Sequence, residues 1–114
     1  MELDWTRVIV PMAKLSSYLL ALDHPEGGPK AVFFHRCGFR PDAPGVLARA
    51  LIAHGRSCPA VSQSTPFGVK YVVDGPFAGA DGRVRQLRSI WIVDELGGPL
   101  RFVSAYPLEL RDGA

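Results

Sequence analysis

Residues 83–107 read RVRQLRSIWIVDELGGPLRFVSAYP, and this stretch decides the fold. Arg83 to Asp94 is a β-branched run, Leu96-Gly97-Gly98 is a tight turn, and Leu100 to Tyr106 is a second run stopped by Pro107. Two such runs joined by so short a turn pair antiparallel. Ser104 and Tyr106 are two apart, so they project from one strand face. Strict alternation places Leu100 and Phe102 on that face as well. A hydroxyl pair at a strand end either lines a polar site or finishes a sheet edge.

Upstream, Gly68 to Asp74 reads as another strand, followed by a glycine-rich turn from Gly75 to Gly82. Lys70 alternates with Val69 and Tyr71, so it occupies the other strand face. Before that the hydrophobic period changes. Leu15, Tyr18, Leu19 and Leu22 recur at helical spacing. Asp23 to Pro29 is a loop by composition, and Pro29 suits the first turn of a helix over about Lys30 to Cys37. Gly38 is its natural cap, and Phe33, Phe34 and Cys37 form its apolar stripe. A third helix is expected over about Pro44 to His54, closed by Gly55. It buries Val46, Leu47, Ala50 and Leu51 and turns Arg49 outward. Trp5 to Val10 reads as a strand ended by Pro11, and Arg56 to Pro66, polar and without period, as a loop. The expected fold is α+β and a single domain over 1–114. An N-terminal strand and about three helices pack on a C-terminal antiparallel, curved sheet.

A chain of 114 residues with 47% hydrophobic residues can bury one core. No run approaches the ~18 apolar residues of a membrane span, and the N-terminus does not read as a signal peptide. Two cysteines, Cys37 and Cys58, are too few for a disulfide framework. A cytoplasmic setting without a membrane partner is the expectation. Net charge is only +2, but from Lys30 to Arg88 nine Lys and Arg residues stand against three Asp, and the flanks are net acidic. A basic middle either solubilises the surface or faces a polyanion.

Several pieces recur in an order that resembles a bacterial family of small domains of unknown function. They are Lys14-Leu15 with Tyr18-Leu19-Leu20, then His24-Pro25, Gly28-Pro29-Lys30-Ala31 with Phe33-Phe34, and Gly38-Phe39. Gly68-Val69-Lys70-Tyr71, Gly82-Arg83, Arg88-Ser89-Ile90-Trp91 and Pro99 to Pro107 follow. The family's threonines are Ser89 and Ser104 here, which keeps a hydroxyl at both places. The resemblance implies a toxin component of a toxin–antitoxin or contact-dependent system. By fold-level analogy it also implies a metal-independent ribonuclease similar to the barnase and RelE type. It further implies RNA as substrate and an acidic antitoxin or immunity protein as partner.

Metal-independent RNA cleavage needs a base, an acid and cations on the phosphorane. His24, Lys70, Arg88, Ser104 and Tyr106 are the candidate catalytic set, with Lys30, Arg83, Arg85 and Trp91 as phosphate or RNA ligands. Each has a plainer alternative. His24, with an ordinary pKa near neutrality, is either a proton carrier or a loop histidine in solvent. Lys30 in a helix first turn opposes the dipole, so it either holds phosphate or solubilises. Lys70 faces either a wet surface or a cleft. Arg88 entering an apolar strand pairs either with a carboxylate such as Asp74 or with a phosphate. Tyr106 either joins a site or satisfies its hydroxyl locally, and Trp91 either stacks a base or sits in the core. His35, Cys37, His54 and Cys58 lack zinc-ligand spacing, so no metal and no cofactor are expected. A non-catalytic interaction module, working through an apolar patch or open sheet edge, is the rival reading.

Overall fold

The computed structural model describes residues 3–21 and 28–108. Three helices, α1 (Met12–Lys14), α2 (Gly28–Arg36) and α3 (Pro44–Ser57), precede four strands. These are β1 (Ala60–Thr65), β2 (Gly68–Ala78), β3 (Val84–Val93) and β4 (Leu100–Pro107). The sheet is antiparallel throughout, in the order β1-β2-β3-β4, so the α+β meander holds.

The helices cover one sheet face. Val73 and Phe77 of β2, Leu87 and Trp91 of β3, and Phe102 and Ala105 of β4 are all buried there. Leu15, Leu19, Phe34, Phe39, Leu47 and Leu51 pack against them. Phe34, Phe39 and Phe77 meet with ring centroids 5.7–6.5 Å apart, and Trp91 meets Phe102 edge-on at 5.3 Å. Burying each such side chain contributes roughly 1.5–3 kcal/mol. The opposite sheet face carries no element among the described residues.

α2 ends as its glycine predicts. Gly38 has φ +95°, its N–H bonds the carbonyl of His35, and the Phe39 N–H bonds that of Phe34. This pair of bonds is the Schellman arrangement, which favours a residue without a Cβ. The Leu96-Gly97-Gly98 turn also forms, with Gly97 at φ +78° and the Gly98 N–H on the Glu95 carbonyl.

Several expectations are corrected. Trp5–Arg7 is a 3-10 turn and not a strand, because the Asp4 carboxylate accepts from the Thr6 N–H at 3.0 Å and caps it. Of that segment only Ile9 pairs, parallel to Arg101 on the outer edge of β4. The first helical segment is one α-turn continued by a π-turn over Leu15–Leu19, with the Leu20 N–H on the Leu15 carbonyl. Leu22 and the side chain of Tyr18 lie outside what the structure describes. α3 runs past Gly55 to Ser57, and its buried face is Leu47, Ala48, Leu51, His54 and Gly55, with Val46 exposed.

Arg56 to Pro66 is not all loop, since β1 occupies most of it. β2 continues through Gly75 and Pro76 to Ala78. Pro76 is tolerated because β1 stops pairing at Val73, leaving β2 an edge on that side.

Candidate functional site

The uncovered sheet face is built by the even-numbered residues of β2 and β3. Lys70, Val72 and Asp74 stand on β2, and Arg88, Ile90 and Ile92 pair with them on β3. β4 joins this face through an irregularity. Trp91 pairs with Phe102 but Ile90 pairs with Ser104, so Val103 is an extra residue, a β-bulge. The bulge shifts the alternation by one. Leu100 and Phe102 go to the core, whereas Ser104 and Tyr106 go to the open face, opposite Ile90 and Arg88. The expectation that all four share a face is therefore wrong, and the bulge is what delivers both hydroxyls to the site.

Five charged or hydroxyl groups then meet. Arg88 donates to Asp74 twice, from Nε to Oδ1 at 2.7 Å and from Nη2 to Oδ2 at 2.8 Å. This fork holds the Asp74 carboxyl below its ordinary value and the Arg88 guanidinium above its own. Tyr106 pairs with Arg88 across β3 and β4, so its phenol stands beside the same guanidinium. From α2, Lys30 Nζ donates to Ser104 Oγ at 3.1 Å and stands 5.6 Å from the centre of the Tyr106 ring. α2 meets β4, the sheet's edge strand, which lets a first-turn lysine reach over it. Beside this cluster lies a groove of about 500 Å³, with Lys70, Asp74, Arg88 and Tyr106 among its lining. Lys70 has no ion-pair partner among the described residues.

Of the residues singled out in the sequence, Lys30, Lys70, Arg88, Ser104 and Tyr106 come to one face. His24 lies outside the described residues. Trp91 is fully buried, its indole N–H donating to Ser89 Oγ at 2.8 Å, so its ring cannot stack a base. Arg85 lies on the other sheet face and clips the β2–β3 hairpin, forked onto Asp81 at 2.7 and 3.0 Å. Arg83 sits at the tip of that hairpin, exposed. Neither arginine reaches the cluster through a described contact.

Sequence reasoning gave His54 no role of its own. It is buried, with Nδ1 2.9 Å from Ser89 Oγ and Nε2 3.0 and 3.2 Å from the carbonyls of Leu87 and Gly75. Those carbonyls neighbour Arg88 and Asp74, so His54 ties together the two strands that carry the fork. Burial pushes its pKa down. Its position on the buried stripe of α3 was the only signal, and that stripe was expected to end there.

Both cysteines are free, and burial pushes the Cys37 thiol up, which keeps it inert. No three His, Cys, Asp or Glu side chains cluster among the described residues. No described helix is long and apolar enough to cross a membrane.

The family model of a domain of unknown function, DUF6883, matches residues 3–109, and the chain belongs to that family. No curated protein matches the chain in sequence. Among solved structures it is similar to a chain of a contact-dependent growth inhibition toxin–immunity protein complex from Klebsiella pneumoniae 342. The TM-score is 0.71 at 17% identity, over 91% of this chain and 96% of that one. The two share a fold.

Proposed function

We propose that this chain is a toxin domain that cleaves RNA without a metal, and that the open sheet face is its active centre. The observation that carries this reading is the convergence of Lys30, Arg88, Ser104 and Tyr106 on one sheet face beside the groove that Lys70 lines. The fold shared with a chain of a toxin–immunity complex supports a toxin or immunity role. By the same reading, the partner is an acidic immunity or antitoxin protein that covers these cations.

In the reaction, the 2′-oxygen attacks the adjacent phosphorus as its proton passes to a base. The bond to the 5′-oxygen breaks, and that oxygen takes a proton. The products are a 2′,3′-cyclic phosphate and a free 5′-hydroxyl. Arg88 and Lys70 hold the non-bridging oxygens and stabilise the extra negative charge of the phosphorane. Arg88 is already aimed, because the Asp74 fork fixes its plane. Ser104, held by Lys30, orients the scissile group. Tyr106 protonates the leaving oxygen, and His24, a few residues ahead of Lys30 in the chain, is the base of this reading.

The test is induced expression in bacteria of the native chain, Lys70→Ala and Tyr106→Phe, following growth and total RNA. Purified proteins are then assayed on RNA in EDTA. The native chain is expected to arrest growth and fragment RNA. Tyr106→Phe should slow cleavage about 100- to 10,000-fold and Lys70→Ala about 100-fold. Full activity in Tyr106→Phe would remove the assigned acid.

One feature favours a second reading, that of a non-catalytic interaction module. β1 is an open sheet edge, with Val61 65% exposed and Phe67, in the turn beyond it, 79% exposed. Folded native protein that leaves growth and RNA intact would favour it.

A further inference from the structure

Three β-branched side chains form a row across the centre of the open face. Val61 on β1 pairs with Val72 on β2, and Val72 pairs with Ile90 on β3. None of them contributes to the buried core. A single exposed valine needs no explanation, but a continuous apolar row amid charges does. Neighbouring strands are about 4.8 Å apart, so the row is about 10 Å across, the scale of one nucleobase. One step along the strands, about 6.8 Å, lies Lys70 on one side and Arg88 on the other. A polyanion crossing the row therefore meets a cation before and after it. Gln63 pairs with Lys70 at the near end, and its amide is both donor and acceptor.

From this geometry we propose that the Val61–Val72–Ile90 row seats one unpaired nucleobase of single-stranded RNA, and that Gln63 hydrogen-bonds the edge of that base. The choice of RNA rests on the ribonuclease reading above. A duplex does not fit, because its bases are stacked and paired inward and cannot lie flat on a strand face. The cations supply attachment that ignores sequence, while the row and Gln63 supply the preference for a base.

Fluorescence anisotropy with a short, uncleavable 2′-O-methyl RNA strand and an abasic strand of equal length tests this. The native protein is expected to bind the base-bearing strand at least about 5-fold tighter, from the apolar area the base covers. Val72→Thr/Ile90→Thr, which keeps strand propensity, should bring that ratio close to one without weakening the abasic strand. Gln63→Ala should alter the ranking of homopolymer strands. Equal binding of both strands to native protein, no binding of either, or an unchanged ratio in the double variant would overturn the proposal. Base-dependent binding without cleavage removes the ribonuclease reading and leaves the seat. Cleavage with base-independent binding removes only the seat.

Discussion

His54 has a hydrogen-bond pattern that assigns its tautomer. Nε2 faces two carbonyl oxygens, of Leu87 and Gly75, so it carries the proton. Nδ1 then accepts from the Ser89 hydroxyl, whose oxygen in turn accepts the Trp91 indole N–H. Every polar atom in this buried chain is satisfied with the ring neutral. The edge of the Phe77 ring is another neighbour, at 6.0 Å, and the nearby Asp74 charge offsets burial only in part. The folded pKa therefore lies below the ordinary 6.5. The unfolded chain binds this proton more readily, so stability is complete above the ordinary value and declines as pH falls below it. Asp74, Asp81 and Asp94, held low by their arginines, lose their share only in a more acid window, below about 3.8. As pH falls below 6.5, native Tm should thus fall, by at most roughly 4 °C per pH unit from this one group. His54→Gln keeps an N–H donor and cannot titrate. Its Tm should be lower at pH 7 but flat over this range in thermal circular dichroism. An equal slope in both proteins would exclude His54 as the titrating group.

Gly55 shows how an element can be right and its terminator misread. A glycine at the end of an apolar-periodic run suggests a cap, but α3 continues past it. Gly55 is there because the Trp5 indole lies on the helix. A Cβ at this position would stand 2.3 Å from Trp5 Cη2 and 3.0 Å from Cζ2. Trp5 in turn packs edge-on against Trp91 at 4.9 Å. Gly55→Ala gains about 1 kcal/mol of helix propensity but must displace that indole, so it should destabilise by roughly 1–3 kcal/mol. In a Trp5→Ala background the same change should stabilise by about 1 kcal/mol. Urea denaturation of the four proteins checks the change of sign, and stabilisation in both backgrounds would mean the indole is not held. The same scale explains what the sequence hid. The helices and the β3–β4 hairpin were legible because their periods and glycines act locally. β1 was not, since Ala60–Thr65 is almost wholly exposed and shows no apolar face to read. The bulge at Val103 was not either, because its register depends on the partner strand. That one residue decides whether Ser104 and Tyr106 join Arg88 or the core. The structure therefore brings Lys30, Lys70, Arg88, Ser104 and Tyr106 to one face, but Leu100 and Phe102 do not share it.

Across the whole molecule the two sheet faces divide the work, one holding the core and the other the charge. Net charge is only +2, so long-range steering of a polyanion is weak and binding depends on local cations. Arg88 differs from Lys70 here, because the Asp74 fork largely cancels its charge while fixing its direction. It therefore acts on RNA mainly as an oriented donor, and Lys70 supplies the counterion-releasing contact. Each such contact on a single strand contributes about −0.7 to the slope of log K against log salt, so the native slope should be about −0.7. Asp74→Asn releases the Arg88 charge as a second such contact. It should steepen the slope to about −1.4 and tighten binding of uncleavable single-stranded RNA at low salt. Cleavage should nevertheless fall, because the guanidinium loses the carboxylate that aims it. Tighter binding with slower cleavage is a pairing that charge alone cannot produce. If Asp74→Asn instead bound more weakly with a shallower slope, the fork would be holding Arg88 within reach of RNA and not merely orienting it. Anisotropy across a salt series, with initial cleavage rates on the same preparations, separates the two.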